Sequence, residues 1–238
     1  METARLDKII SDFGGLSRSQ AREAIKSGRV TSGGVCLLRP EDRLALDNAE
    51  LSLDGKPLNT SKFRYFAMNK PEGVVCATED AVEKTVISLL PPELAGLRLF
   101  PVGRLDKDTT GLLLLTNDGE LGHRLTAPRH SVEKRYEAWL SEAAVQQDIE
   151  AFRQGVSLKD GSLCLPALLE LDPQDAKHAY VTISQGMYHQ VKRMFAARGK
   201  TVVALRRLSV GGLMLDETMA PGQIREIYPR EIREYFGE

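Results

Sequence analysis

The sequence predicts an α+β protein with a small domain over residues 1–60 and a larger one over residues 61–238. Its predicted strands and helices do not alternate as in a regular parallel βαβ series, which favours a largely antiparallel sheet. Neither G-x-G-x-x-G nor G-x-x-x-x-G-K-S/T occurs in the chain, so folds built around a nucleotide cofactor fit poorly. The composition, 42% hydrophobic and 27% charged in 238 residues, is typical of globular domains.

Two short helices and a hairpin are predicted for the small domain. Apolar side chains recur at helical spacing over residues 6–13, and Gly14-Gly15 ends that helix. Ser17 begins an S-x-x-Q capping box, which starts a second helix with Gly28 at its C-terminal cap. A turn over residues 32–34 then joins two predicted short strands.

Basic residues concentrate in two parts of a chain whose net charge is −1. In the second helix, Arg18, Arg22 and Lys26 fall at positions i, i+4 and i+8, so they line one face. Residues 187–208 hold six basic residues and no acidic one. Both patches suit contacts to phosphates, and for each of them an ordinary solvated surface is the alternative interpretation.

The N-terminal pattern as a whole, R-L-D-K followed by S-R-S-Q-A-R-E-A-I-K-S-G-R-V, resembles the alpha-L RNA-binding module. This resemblance implies that Arg18, Arg22 and Lys26 contact RNA. The segment Asn48–Lys62 is polar and rich in turn-forming residues, which predicts a linker. We therefore place the domain boundary near residue 60.

The larger domain is predicted to begin with a strand. Residues 65–73 indicate a strand that runs into a Pro/Gly turn, and a structural role is favoured for Lys70 over a contact to RNA. The most informative string, G-R-L-D-K-D-T-T-G-L-L-L-L-T-N-D-G, follows at residues 103–119. In it, Asp106 precedes a predicted buried strand over residues 112–116. An acid on a rigid loop at a strand end is a common place for chemistry.

Short elements follow this string in regular order. Residues 117–120 offer a helix N-cap, and the helix should end before Pro128. A basic stretch that ends at Tyr136 leads into a strand with Trp139. Near the end of the chain, residues 208–227 alternate predicted turns and strands.

The last predicted helix follows a strand over residues 179–183 and ends at Gly199. Its apolar stripe is predicted to comprise Tyr188, Val191, Met194 and Phe195. His189 and Lys192 lie together on another face. By themselves these two residues could indicate acid–base chemistry, but a hydrogen-bonded structural histidine is the favoured interpretation.

Several of these strings, in this order, resemble the motifs of RsuA-type pseudouridine synthases, and the resemblance covers nearly the whole chain. It implies a mixed, largely antiparallel sheet, and it makes Asp106 the catalytic residue. Tyr136, in an E-K-x-Y element, would lie against the target base. Lys192, in H-Q-V-K-R-M, would pair with the aspartate and favour its charged form. Leu205 would pack below the base.

The reaction that the resemblance implies is the isomerisation of uridine to pseudouridine in ribosomal RNA. No group is gained or lost and nothing is oxidised, so neither a cofactor nor a metal is expected. The target uridine must leave the RNA stack. Arg104 would fill the gap or hold the backbone, and Arg193 would contact phosphates. Whether Asp106 attacks the ribose, attacks the base or removes a ribose proton is left open.

Ribosomal RNA or a pre-ribosomal particle is therefore the expected partner. The runs P-R-H-S-V-E-K-R-Y and A-P-G-Q-I-R look closest to family members that modify small-subunit RNA, and large-subunit RNA is the alternative. A non-catalytic assembly factor is a second alternative. A nucleoside or glycoside hydrolase is a third, and it would need another carboxylate, for which Asp108 is the nearest candidate.

The compartment is predicted from what the chain does not contain. Its first residues include no apolar signal core, and no apolar run approaches the roughly 20 residues of a membrane span. The cysteines, Cys36, Cys76 and Cys164, lie far apart without a C-x-x-C pair, so neither a zinc site nor a disulfide framework is expected. We expect a cytoplasmic protein that does not enter a membrane, and a monomer would suffice.

Overall fold

The computed structural model describes residues 3–46 and 50–237 and divides into two compact units, Met1–Phe63 and Arg64–Glu238. The boundary that we placed near residue 60 stays a prediction of where an independently folding domain ends. Among the described residues, no helix is both long enough and apolar enough to cross a bilayer.

The first unit consists of two helices and short strands. The first helix ends at Gly15 in the left-handed conformation, at φ 66°. The second begins at Ser17, whose hydroxyl accepts from the Gln20 amide while the Gln20 side chain accepts from the Ser17 amide. The predicted capping box is therefore present. The elements are β1 Thr3–Arg5, α1 Leu6–Gly14, α2 Arg18–Lys26, β2 Val30–Ser32, β3 Val35–Cys36, β4 Arg43–Ala45, β5 Leu51–Leu53 and β6 Lys56–Pro57.

The linker prediction for Asn48–Lys62 is wrong for the part of this segment that the structure describes. β5 pairs antiparallel with β2, and Leu51 is buried in the core that α1 and α2 form. Asp54 and Gly55, both at positive φ, make the turn of the β5–β6 hairpin. Turn-forming residues thus mark a hairpin here. Asn48 itself lies outside the described residues.

A buried carboxylate holds the helices of this unit together electrostatically. Asp7 is fully buried, and its oxygens lie 2.9 Å from Arg18 Nη2, 3.0 Å from Arg22 Nε and 3.2 Å from Arg5 Nη2. Burial alone would raise the pKa of Asp7, but hydrogen bonds from the three arginines outweigh it and hold that pKa well below its usual value. Two of the three cations predicted to contact RNA therefore also stabilise the fold, while remaining about half exposed.

The second unit is built on one mixed sheet with helices packed against it. Its elements are β7 Tyr65–Lys70, β8 Phe100–Pro101, β9 Thr109–Thr116, α3 Gly119–Thr126, β10 Lys134–Leu140, α4 Gln146–Gln154, β11 Leu168–Leu171, β12 His178–Ile183, α5 Gln190–Ala197, β13 Val202–Val210, β14 Leu213–Met214, β15 Ile224–Ile227 and α6 Pro229–Phe236. Over the described residues the strand order is β11-β12-β10-β13-β9-β7-β15, with β8 beside β9 and β14 beside β13. The pairing of β9 with β13 is parallel and the other pairings are antiparallel. The predicted α+β class with a largely antiparallel sheet is confirmed.

The central strand β9 is buried on both faces, as its leucine run predicts. Leu113 and Leu115 join the larger core on one face, and Leu112 and Leu114 join a second core on the other. At its start, Gly111 has φ 98°, and a Cβ there would lie 2.3 Å from the Arg207 carbonyl oxygen. Glycine is therefore required where β9 approaches β13. This close approach fixes the loop before β9 relative to β13.

Helix α5 begins later than predicted, which corrects the position of one aromatic residue. Val191, Met194 and Phe195 are buried as the stripe predicts, but Tyr188 is 76% exposed. The reason is that His189 adopts the left-handed conformation, at φ 48°, and acts as the N-cap. Tyr188 thus precedes the helix and cannot lie on its apolar face.

Candidate active site

Asp106 lies in the short loop between β8 and β9, and contacts from several directions fix this loop. Lys70 is fully buried, and its ammonium donates to the carbonyl oxygens of Thr109 at 2.8 Å, Pro71 at 3.0 Å and Lys107 at 3.4 Å. Burial lowers the pKa of Lys70, and the nearby carboxylates only partly offset that effect. The favoured structural interpretation of Lys70 agrees with these contacts, because its side chain supports the backbone that presents Asp106.

Two cationic or potentially cationic side chains meet the Asp106 carboxylate. Lys192 Nζ lies 3.3 Å from Oδ2, and His189 Nε2 lies 3.2 Å from Oδ1. The same ammonium lies 2.5 Å from Asp108 Oδ1, and this hydrogen bond is the main cause that lowers the pKa of Asp108. Asp106 is 26% exposed, so it is held but still accessible. The left-handed backbone of His189 and the first turn of α5 bring both partners to the acid.

A cavity of about 580 Å³ opens beside Asp106. Arg104 and Tyr136 line it, and Tyr136 is nearly buried on β10. Leu205 is buried and lines an adjoining smaller pocket that also contacts Asp106, Arg104 and Tyr136. The structure therefore brings together five residues that were predicted from the sequence, Asp106, Lys192, Tyr136, Arg104 and Leu205.

The other predicted substrate-binding residues are not among those that line this cavity. Arg193 pairs with Asp160 and donates to the Tyr188 carbonyl oxygen, and it does not line the cavity. Arg18, Arg22 and Lys26 belong to the first unit. Their contacts to RNA stay predictions.

Three residues at this site are not among the site residues predicted from the sequence. His189, for which the sequence favours a hydrogen-bonded structural role, contacts the carboxylate of Asp106 with its ring. Lys134 and Arg207 line the same cavity from β10 and β13, and neither was singled out. The sequence signal for His189 is its position three residues before Lys192, the predicted partner of Asp106. Tyr136 and Arg207 face each other across two strands, a register that local sequence does not reveal.

The arrangement can place one carboxylate against a planar ligand in a partly closed cavity. Asp106 supplies the carboxylate that lines the cavity and pairs with Lys192, and Tyr136 supplies an aromatic wall. Asp108 points to Lys192, on the exposed side, and it is 64% exposed. The two carboxylates are thus held by one ammonium, and they do not flank a common gap as the acids of a hydrolase do.

Comparison with known families agrees with both units. Residues 64–197 match the family model described as RNA pseudouridylate synthase, and residues 4–48 match the S4 domain model. A crystal structure of a pseudouridylate synthase superposes with a TM-score of 0.68 at 38% identity, covering 97% of this chain and 99% of that one.

Relatives of known sequence resemble the chain over nearly its full length. It is 43% identical over 231 residues to ribosomal small subunit pseudouridine synthase A of Escherichia coli K12, covering 96% of this chain and 98% of that protein. It is 42% identical over 230 residues to an uncharacterized RNA pseudouridine synthase of Bacillus subtilis, covering 96% of each. Ribosomal small subunit pseudouridine synthase A of Vibrio cholerae is 40% identical to the chain over 235 residues, covering 96% of this chain and 97% of that protein.

Proposed function

This chain belongs to the RNA pseudouridylate synthase family, and from that premise we propose that it converts a specific uridine of small-subunit ribosomal RNA into pseudouridine. The observation that carries the proposal is the Asp106 carboxylate, which stays accessible at the cavity while Lys192 and His189 contact it. The names of the Escherichia coli and Vibrio cholerae relatives support the choice of small-subunit RNA.

Asp106 acts in this proposal as the residue that meets the nucleotide. An ionised carboxylate can attack the ribose, attack the base or remove a ribose proton, and each route needs the acid beside the N-glycosidic bond. The ammonium of Lys192 lies 3.3 Å from this carboxylate and pairs with it. Lys70 supports the backbone of this loop, which keeps Asp106 in a fixed position at the cavity.

The base occupies the cavity beside Tyr136 after it leaves the RNA stack. Eversion costs a few kcal/mol, and stacking of a base on an aromatic ring is worth about 1–3 kcal/mol, so the wall formed by Tyr136 offsets much of that cost. Arg104 is exposed at the cavity and suits either the gap in the stack or the neighbouring phosphate. Leu205 supports the base from below.

The first unit adds affinity through phosphate contacts. Lys26 is exposed at the end of α2, whereas Arg18 and Arg22 divide their hydrogen-bonding capacity between Asp7 and solvent. Lys26→Ala should therefore weaken RNA binding without loosening the fold and should reduce the salt slope of binding by about one phosphate contact. Binding that is insensitive to salt would contradict this role.

The reaction is tested with two variants of one loop. Transcribed small-subunit RNA labelled with tritium at C5 of uridine releases the label when C5 bonds to the ribose, so release measures turnover. Asp106→Asn should reduce it by at least about 10³-fold. Asp108→Asn is the matched control and should retain most activity, because Asp108 faces Lys192 on the exposed side of the loop. Full activity in Asp106→Asn would remove the proposed catalyst.

The same experiment separates the alternatives. A hydrolase would release free uracil and would need both carboxylates, so Asp108→Asn would be as inactive as Asp106→Asn. An assembly factor would bind RNA but release no label. Mapping the pseudouridine in small-subunit and large-subunit RNA from cells without the protein identifies the target. The finer expectations, a monomer that acts on pre-ribosomal RNA in the cytoplasm, are checked by sedimentation and fractionation.

A further inference from the structure

Arg207 is an unusual cation in this structure because it is buried without an acidic partner. It is 4% exposed on β13, and its Nε donates to the Leu112 carbonyl oxygen at 2.8 Å. Its Nη2 is also buried and has no hydrogen-bond partner among the described residues. A buried guanidinium nitrogen without a partner is costly, so its retention calls for an explanation such as a contact to a bound molecule.

The other basic residues of segment 187–208 are engaged differently. Lys192, Arg193, Arg198, Lys200 and Arg206 each lie within 4.0 Å of a carboxylate. Arg207 has no carboxylate within that distance in the part of the chain that the structure describes. The basic patch predicted from the sequence is therefore largely neutralised, and Arg207 is its exception.

Lys134 is a second basic residue in a similar environment. It lines the cavity with Arg207, its Nζ donates to the Val132 carbonyl oxygen at 2.6 Å, and among the described residues it too has no carboxylate partner. Burial, and then the nearby Arg207 charge, lower the pKa of Lys134. Two basic side chains that line one cavity despite their mutual repulsion suit oxygen atoms that carry negative charge.

The geometry points to the uracil ring as the occupant. We propose that Arg207 and Lys134 bind the carbonyl oxygens of the everted uracil and stabilise its negative charge when the base is detached. This inference rests on the proposed function and adds an electrostatic subsite to it. The cavity that holds both cations is the one that Asp106 and Tyr136 line.

The depth of the subsite favours the base over a phosphate. Arg207 is the direct cross-strand neighbour of Tyr136, and side chains so paired lie about 4.5–5.5 Å apart at Cβ. A base that packs against Tyr136 therefore reaches Arg207 with its edge. A phosphodiester must stay connected to the RNA on both sides, and the exposed Arg104 offers it a contact nearer to solvent.

The electron balance explains why cations are useful there. When the N1–C1′ bond breaks, the bonding pair leaves with the uracil, which then shares one negative charge among N1, O2 and O4. When C5 bonds to C1′, that charge is consumed, the C5 proton is lost, and N1 takes up one proton. Preorganised donors aimed at the carbonyl oxygens stabilise the charged state selectively, which accelerates the reaction rather than only tightening binding.

The test combines protein variants with altered carbonyl groups in the RNA. The full chain is used as Lys134→Met, Arg207→Met and Arg207→Lys, with Arg206→Met as the matched control, because Arg206 pairs with Glu137 instead. Single-turnover rates should fall about 10- to 100-fold in both Met variants, as expected for a lost charge-assisted hydrogen bond. Arg207→Lys should recover part of the rate, Arg206→Met should react like the wild type, and RNA affinity should change less than about twofold.

Thio substitution then identifies the contact. RNA with 2-thiouridine or 4-thiouridine at the target should react more slowly with the wild type, because sulfur is the weaker acceptor. In the variant that lacks the side chain bound to the substituted oxygen, the thio substitution should cause no further slowing. If Arg207→Met does not fold, Lys134→Met carries the test, since Lys134 donates only to the Val132 carbonyl among its described contacts.

Three results would overturn the inference. A wild-type rate in Lys134→Met would do so. Thio substitution that slows every variant by the same factor as the wild type would do so as well. A methylphosphonate linkage next to the target removes the negative charge of that phosphate. If this change slows the wild type but not the variants, and thio substitution has no such effect, the subsite binds a phosphate. If the wild type releases no label from unmodified RNA, the proposed function fails first and the subsite with it.

Discussion

Replacing Asp7 by asparagine perturbs the charge cluster that holds α1 to α2. Removing one partner of a buried ion pair typically costs about 3–5 kcal/mol, because the remaining charge stays buried. Here the three arginines are about half exposed, so they regain water when the carboxylate is lost. We therefore expect a loss of about 2–3 kcal/mol in the free energy of unfolding of the first unit, close to a 30- to 150-fold change in its opening equilibrium.

Hydrogen exchange measured by mass spectrometry is the appropriate assay. The single tryptophan, Trp139, belongs to the second unit and does not report on the first. Amides of α1 and α2 should exchange 30- to 150-fold faster in Asp7→Asn, as the estimate above requires. Asp54→Asn is the matched control, since Asp54 also pairs with an arginine, Arg29, but both are about half exposed. It should leave protection nearly unchanged.

The pH dependence gives an independent check of the same reasoning. Because the arginines hold the folded-state pKa of Asp7 below its unfolded value of about 3.9, the ionised carboxylate stabilises the fold above that pH. This contribution is lost as the pH falls toward the folded-state pKa. The difference in protection between wild type and Asp7→Asn should therefore shrink below about pH 4. A constant difference, or wild-type protection in Asp7→Asn at pH 7, would refute the reasoning.

Three further predictions concern the second unit and the thiols. Lys70→Met should slow pseudouridine formation about 100-fold, because the loop that carries Asp106 becomes less fixed. The denaturation midpoint should change little, because the lost hydrogen bonds are offset by removal of the cost of burying a charged ammonium. Gly111→Ala should cost about 3–5 kcal/mol in chemical denaturation, since positive φ strain adds to a backbone clash, whereas Gly119→Ala, which meets no atom within 4 Å, should be nearly neutral. Native alkylation followed by mass spectrometry should modify the exposed Cys36 before Cys76, because burial raises the pKa of the Cys76 thiol.

Local signals predicted the elements whose structure is decided locally. The capping box at Ser17 and the buried strand β9 depend on neighbouring residues, and both are present. The linker prediction failed because the pairing of β5 with β2 is a long-range event that turn composition does not report. Helices α4 and α6 were not anticipated, since their apolar residues find partners only within the assembled second unit.

The candidate site shows the same division between local and long-range information. Asp106, Tyr136 and Lys192 could be selected because each stands in a recognisable string. Arg207 could not be selected in this way, because its position beside Tyr136 depends on strand register, including a bulge between Arg135 and Tyr136. Its missing carboxylate partner is likewise a property of the folded protein. Sequence patterns thus named the reacting groups, and tertiary structure was needed to identify their electrostatic surroundings.

Three carboxylates of this protein share one kind of electrostatic surrounding but differ in access. Asp7 contacts three arginines and Asp148 contacts Arg198 and Lys200, and their side chains are 0% and 1% exposed. Asp106 contacts Lys192 and His189 and is 26% exposed. Cationic partners alone would therefore not distinguish a reactive acid from a structural one. What distinguishes Asp106 is that its partners leave one side open to a cavity, so the carboxylate stays available to a ligand.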